Sequence, residues 1–351
     1  MVLLPAILWL SATTVLSAEA DTLSIYFAGD LMQHSAQIQS ARQKDGGYDY
    51  SDCFAFVKKD IRSADIAVGN LEVTLGGKPY TGYPAFSAPD EFLYAIRDAG
   101  FDVLMTANNH CLDRGRKGLE RTIMLLDSLK LKHAGTYKNN EERIHQYPLL
   151  VEKKGFRIVF LNATYGTNGI PVSEPNIVNL IDREQIRNDI LKARLMRPDV
   201  IIAVMHWGLE YKTKPSESER KLAKWLVDMG VDHVIGSHPH VVQPVEVLGK
   251  ESSPQKHFVV YSLGNYISNM SARHTDGGMT VRLRFKKVNG ITRLLDYDYS
   301  FVWTSRPSVS GRKAFVLYPQ DIDNEYLNAD EKSRMKRYLD DASSISSSLG
   351  Y

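Results

Sequence analysis

Short runs rich in β-branched and aromatic residues recur along this chain, separated by amphipathic stretches. This alternation restricts the fold more than any other feature. The runs are Ser24-Ile25-Tyr26-Phe27-Ala28, Ile66-Ala67-Val68, Val103-Leu104-Met105, Ile158-Val159-Phe160-Leu161, Val200-Ile201-Ile202-Ala203-Val204, Val234-Ile235 and Phe258-Val259-Val260-Tyr261. Strand-like runs alternating with helical periodicity predict an α/β sheet. One helix is expected over Leu119–Leu131, with Ile123, Leu125, Leu126 and Leu129 apolar. Another is expected over Ser216–Met229, opened by a capping box of Ser216 and Glu219, with Leu222, Trp225, Leu226 and Met229 on one face.

The way the runs end points to function. They lead into Gly29-Asp30, Gly69-Asn70-Leu71-Glu72, Asn108-Asn109-His110, His206-Trp207-Gly208, Gly236-Ser237-His238-Pro239-His240 and Gly264-Asn265. Ligands of open α/β sheets sit beyond the carboxyl ends of the strands, so these segments are expected to share one rim. Five of the ten histidines, His34, His110, His206, His238 and His240, fall in them. The other five, His133, His145, His233, His257 and His274, are scattered and read as structural or solvated.

Carboxylate and amide oxygens with imidazole nitrogens suit one or two divalent ions: Mn, Fe, Zn or Mg. With only Cys53 and Cys111 in the chain, a disulfide scaffold and a Cys-rich zinc module are both excluded. Two ions about 3.5–4 Å apart would share a bridging carboxylate and clamp the attacking and leaving oxygens of a phosphoester. A nonligating histidine beside an Asn ligand would protonate the leaving alkoxide. Cys111 beside His110 is expected to be a buried, inert thiol.

Taken in order, these segments resemble a known family. Gly29-Asp30, Asn70-Leu71-Glu72, Asn108-Asn109-His110 with Asp113 and Gly115, His206-Trp207-Gly208 with Glu210, Gly236-Ser237-His238-Pro239-His240, Gln243, Glu246 and Ser262-Leu263-Gly264-Asn265 follow one another. Over roughly residues 22 to 285 the chain closely resembles the CapA family of bacterial capsule, or poly-γ-glutamate, biosynthesis proteins, a branch of the calcineurin-like metallophosphoesterases. The resemblance implies a layered α/β sandwich of the metallophosphoesterase type, with mixed sheets flanked by helices and the site at the strand C-terminal ends. It also implies Asp30 as the first-strand metal carboxylate, Asn109 as a ligand, His110 as general acid, and His206, His238 and His240 as ligands.

Two positions depart from the wider superfamily. Met32 stands where an Asp-x-His histidine is expected, with His34 two positions further on, and Asn70 replaces the bridging Asp of a Gly-Asp pair. Glu72 is the nearby carboxylate with the reach to bridge; a mononuclear or altered site is the alternative. Asp113 and Glu210 are expected to orient histidines or to be plain loop carboxylates, and Gln243, Glu246 and Asn265 to lie on the rim facing substrate. The turn Tyr165-Gly166-Thr167-Asn168-Gly169 either covers the rim or is a tight turn.

Residues 1–20 read as a signal peptide: residues 2–17 are almost entirely apolar and Ala18-Glu19-Ala20 makes a cleavage site, although no Lys or Arg precedes Arg42. Export to the periplasm or medium is therefore expected, a membrane anchor being the alternative. The main domain is expected over 21–285 and a hairpin-and-helix extension over 286–351. Met279–Phe285 and Ile291–Trp303 alternate in period two around Val288-Asn289-Gly290, which predicts an Asn-Gly hairpin. A helix is expected over Ala329–Leu339 and a fraying serine-rich end over Ser343–Ser348.

The leading expectation is an exported metal-dependent hydrolase of phosphoesterase type acting on a phosphoester or an anionic envelope polymer, in contact with capsule-synthesis membrane proteins. The alternatives are an amide hydrolase of a poly-γ-glutamate-like polymer and a non-catalytic assembly or tethering factor. With 43 Lys and Arg against 41 Asp and Glu, a net charge of +2, nothing calls for nucleic acid.

Overall fold

The computed structural model describes residues 21–249 and 256–348; the expected signal peptide lies outside them. In chain order the elements begin β1 (Asp21–Leu31), α1 (Ser35–Ala41), α2 (Lys58–Ser63), β2 (Ile66–Leu71), α3 (Asp90–Ala99), β3 (Val103–Met105), α4 (Gly115–Ser128) and β4 (Lys132–Ala134). Next come β5 (Thr136–Tyr137), α5 (Asn140–Gln146), β6 (Leu149–Lys153), β7 (Phe156–Thr164), β8 (Ile177–Val178), α6 (Arg183–Leu195), β9 (Val200–His206) and α7 (Glu217–Asp228). The chain continues through β10 (His233–Ser237), β11 (Val245–Leu248), β12 (His257–Val260), β13 (Asn265–Ile267), β14 (Gly277–Val288) and β15 (Ile291–Ser305). It closes with α8 (Pro307–Ser310), β16 (Val316–Pro319) and α9 (Ala329–Ser346).

Two mixed sheets form the body. The first runs β16-β15-β14-β1-β2-β3-β4, with β13 also paired to β1; the second runs β11-β12-β10-β9-β7-β6. In each, a parallel core (β1-β2-β3-β4 and β7-β9-β10-β12) carries antiparallel strands at its margins. The period-two alternation of β1 explains the layering. Ile25 and Phe27 point into the core between the sheets, where they meet Ile158, Phe160, Ile202 and Val204. Tyr26 and Ala28 point the other way, into a second core shared with Ile61 of α2 and Phe92, Leu93 and Ile96 of α3. Ile186 and Ile190 of α6 and Leu222 and Leu226 of α7 cover the second sheet. The result is the expected helix-flanked α/β sandwich, with the central parallel strands β2, β3, β9 and β10 buried along their whole length.

The capping box of Ser216 and Glu219 opens α7 as the sequence predicts. The predicted hairpin forms between β14 and β15, with Val288 paired to Ile291 and both turn residues, Asn289 (φ 51°) and Gly290 (φ 78°), left-handed. Two expectations need correction. The helix expected over Leu119–Leu131 starts earlier, at Gly115, and stops at Ser128, because the chain must turn into β4. The serine-rich end does not fray at Ser343: α9 continues to Ser346, which is buried together with Ala342. The hairpin expected after residue 285 continues the first sheet, since β14 pairs with β1 from Asp21↔Lys287 to Phe27↔Val281 and with β15 beyond it.

Candidate metal centre

The strand ends converge as expected, and two glycines let them come close. A Cβ on Gly29 would lie 2.0 Å from the carbonyl oxygen of Gly264, and one on Gly236 would lie 1.9 Å from that of Tyr261. With only hydrogen there, Asp30 N donates to Gly264 O at 3.0 Å, and Asp30 sits in register with Asn265 on one side and Asn70 on the other.

Around this seam lie Asp30, Glu72, His206, His238 and His240, all buried. They form two overlapping ligand groups, Asp30/Glu72/His206 and Glu72/His238/His240, in each of which the donor atoms lie within 4.8 Å of one another. Glu72 belongs to both. Its Oε1 is 3.6 Å from His206 Nε2 and 3.9 Å from His240 Nε2. Asn109 joins the first group, its Oδ1 2.8 Å from His206 Nε2. Two donors each 2.0–2.1 Å from one ion stand roughly 3 Å apart when at right angles, so these spacings suit a shared ion.

The hydrogen-bond account agrees. Both Glu72 oxygens, Asp30 Oδ2 and His238 Nδ1 are buried and accept or donate nothing. His240 Nδ1 does lie 3.2 Å from Asp30 Oδ2, but that nitrogen is engaged with Asn265 Oδ1 at 3.1 Å. An unpaired buried carboxylate costs on the order of several kcal/mol. Burial, and after it the neighbouring Asp30 carboxylate, accordingly push the Glu72 carboxyl well above the usual range. Burial followed by the other imidazoles holds His206 well below its ordinary value, and burial with His240 pushes His238 down to about 3. Neutral imidazoles are the form that ligates a metal, and a bound divalent cation would reverse the penalty on the Glu72 anion. The residues therefore fit a divalent metal.

Surrounding groups aim the donors. His206 Nε2 lies against Asn109 Oδ1, and His206 Nδ1 stands 3.2 Å from Asn70 Nδ2 and 3.1 Å from Ser237 Oγ. The Asn70 amide also donates to Asp30 Oδ1 at 2.8 Å. Asn70 thus turns its nitrogen toward Asp30 and His206 and supplies no bridging oxygen. Asn265 receives His240 Nδ1, which leaves His240 Nε2 facing Glu72, and its own amide is tied to Thr275 O at 2.8 Å. The backbone of the closing segment is left-handed at His238 (φ 100°) and His240 (φ 59°), a conformation costing about 1–3 kcal/mol per residue. Tyr211 N donating to Pro239 O at 2.8 Å helps to hold it.

His110 stands beside the ligands but belongs to neither group. Its Nδ1 donates to Asp113 Oδ2 at 2.7 Å, and the same oxygen accepts Phe86 N at 2.8 Å. Phe86 packs edge-on against both His110 (4.6 Å) and His34 (5.2 Å).

Other expected positions separate. His34 is brought to the margin, not among the ligands: it caps α1, and its Nδ1 meets Gln37 Oε1 and Asn269 N, each at 3.3 Å. Burial pushes its imidazole down to about 4. Asp113 orients a histidine, whereas Glu210 is exposed, the plain loop carboxylate of the two expectations. Gln243 is buried and donates to Lys212 O, and Glu246 of β11 accepts the Tyr261 hydroxyl. Cys53 and Cys111 are free, buried thiols, each pushed up to about 12 chiefly by burial.

The Tyr165 turn does cover the rim. The Tyr165 ring lies 4.4 Å from that of His238, and Asn168 Oδ1 receives Asn109 Nδ2 at 3.2 Å, which fixes the oxygen of Asn109 toward His206. Sequence reasoning assigned nothing to Tyr83, Phe86 or Tyr211. Their signal was faint: an aromatic-rich loop, Tyr80 to Phe86, broken by Gly82 and Pro84.

The family description "Bacterial capsule synthesis protein PGA_cap" matches residues 24–270, a stretch that contains every residue of both ligand groups. The chain belongs to this family. Among PGA_cap-related proteins, "Capsule biosynthesis protein CapA" of Bacillus anthracis is 29% identical over 315 residues, covering 84% of this chain and 72% of that protein. "PGA biosynthesis protein CapA" of Bacillus subtilis (strain 168) is 26% identical over 285 residues, covering 78% and 70%. Of solved structures, the calcineurin-like phosphoesterase YfkN from Bacillus subtilis aligns with TM-score 0.46 and 13% identity over 93% of this PGA_cap chain and 100% of its own. A phosphatase from Mycoplasma pneumoniae aligns with TM-score 0.49 and 13% identity over 83% and 96%. Both scores fall below one half, so the architecture rests on the sheet order and register given above.

Proposed function

We propose that this protein is an exported, metal-dependent hydrolase of phosphoester type working in capsule or envelope polymer synthesis. The observation that carries the reading is the doubly orphaned Glu72 carboxylate, shared by two ligand groups inside a buried ring of imidazoles. Asp30, Glu72, Asn109 and His206 would hold one ion, and Glu72, His238 and His240 a second, with Glu72 in place of the bridging aspartate that Asn70 has displaced. A divalent pair held there acidifies water and offsets charge on phosphoryl oxygens.

The remaining work falls to the chain's own groups. His110, its Nδ1–H engaged by Asp113, presents Nε2 to the departing alkoxide and delivers a proton there. Asn70 and Ser237 fix the His206 ring, Asn265 fixes that of His240, and Asn168 fixes the Asn109 amide. Tyr165 lies over His238 and His206 and limits water at the ligands.

A second reading, a polymer-tethering factor with one structural ion, is favoured by Met32: it is buried where a ligand histidine would complete a standard first site. Metal analysis combined with nitrophenyl phosphate hydrolysis decides between them. About two equivalents of metal, with turnover abolished in His206→Ala, is expected for the hydrolase. Metal-loaded protein without turnover that still binds an anionic polymer would overturn it.

A further inference from the structure

Beside the acid, the rim carries a largely exposed aromatic ring. The loop from Thr81 to Ser87 is closed by paired backbone hydrogen bonds, Thr81 N to Ser87 O at 3.1 Å and Ser87 N to Thr81 O at 2.8 Å. Its base is pinned to the acid's own support, because Phe86 N donates to Asp113 Oδ2. Gly82 lies directly on the start of α1; a Cβ there would be 2.3 Å from Ser35 N. The loop is therefore fixed at its stem and presents Tyr83 at its tip. Tyr83 is 70% exposed, yet its ring lies 6.4 Å from that of His110 and 6.3 Å from that of Phe86. Tyr211, 52% exposed, lies 6.3 Å from the ring of His240.

Resting on the phosphoester reading above, we infer that Tyr83 is the platform for the leaving group, and that the substrate is a phosphoester whose alcohol carries a ring. The leaving oxygen must approach His110, so whatever is attached to it passes over the face nearest that imidazole, and Tyr83 is the exposed face there. An exposed aromatic ring fixed by a closed loop gains most from a flat or C–H-rich ring laid against it. A flexible alkyl or glyceryl group would find no such partner.

The test uses phosphonates, which need only a loaded metal centre and no turnover. In metal-loaded protein, calorimetry should give benzylphosphonate an affinity about five- to tenfold above butylphosphonate. Tyr83→Ala should bring benzylphosphonate down to the level of butylphosphonate, and Tyr83→Phe should keep the preference. Nucleoside monophosphate and a hexose phosphate, run as competitors, distinguish a base from a sugar as the ring. Equal affinity for the two phosphonates in the wild type, or a preference that survives Tyr83→Ala, would overturn the inference even if phosphoesters are hydrolysed. A Tyr83-dependent ring preference without any hydrolysis would uphold the platform and sink the hydrolase reading. No binding of either phosphonate would sink both.

Discussion

At the starts of the parallel strands, Asp65, Asp102, Asp199 and Asp232 each accept a backbone N–H from the neighbouring strand: Ser24, Ala67, Arg157 and Ile201, at 2.7–2.9 Å. At the ends of the same sheets, Asp30 and Glu72 keep oxygens that accept nothing although they are more deeply buried. Each start carboxylate immediately precedes its strand and takes up the first free donor of the strand beside it. Asp199 adds Lys287 and Thr292, at 2.7 and 2.9 Å. The contrast separates two uses of one residue type. A carboxylate whose acceptor capacity is filled by the fold holds the fold together, and one left without donors in a dry site has the chemistry to take a cation.

Changes at the two ends should therefore fail differently. Glu72→Gln should have the largest effect: metal affinity should drop by more than the roughly 10–100-fold typical of groups one step removed from an ion. Metal-free stability should hold or rise, since the amide cannot ionise beside Asp30 in the buried site; calorimetric metal titration and urea unfolding of the same sample measure both. Asn70→Ala comes next, with metal affinity lowered by about 10–100-fold because Asp30 and His206 lose their shared donor; the same titration measures it. Asp199→Ala should give the mirror image, unchanged metal content with about 1–3 kcal/mol of stability lost, because the Arg157 N–H and Lys287 are stranded. Equal metal loss in both Glu72→Gln and Asp199→Ala would erase the distinction.

The smallest effect concerns histidines. His233, at the start of β10, is pushed down to about 3 by burial and then by His257, and its Nδ1 accepts Phe258 N at 3.1 Å. Its folded value lies below the ordinary one, so between about pH 6.5 and 3 the unfolded chain binds the extra proton and stability falls with pH. The slope should approach roughly 1 kcal/mol per pH unit. His233→Asn should flatten it in urea unfolding between pH 7 and pH 5; an unchanged slope would mean that His233 is not among its sources.

The sequence exposes the ends better than the middles. Asp30, Asn109, His206, His238 and His240 were legible because glycine, amide and imidazole interrupt apolar runs, and that interruption survives as the rim. Glu72 was legible as a carboxylate near a missing one, but its membership of both ligand groups depends on how β2 turns after Leu71, which no local pattern encodes. Glu210 stayed open between two readings because its spacing from His206 says nothing about which way the loop faces, and it faces solvent. The start-of-strand aspartates were visible in principle, each directly preceding an apolar run, but their meaning appears only once neighbouring strands are paired. The ring of Tyr83 needed coordinates, because contact with His110 joins positions with no shared periodicity.

The central claim is that Glu72 bridges two ions. Anomalous scattering from crystals grown with manganese tests it directly. The account predicts two peaks flanking the Glu72 carboxylate, one against Asp30, Asn109 and His206 and the other against His238 and His240. A single peak, or two peaks with Glu72 touching neither, would contradict it.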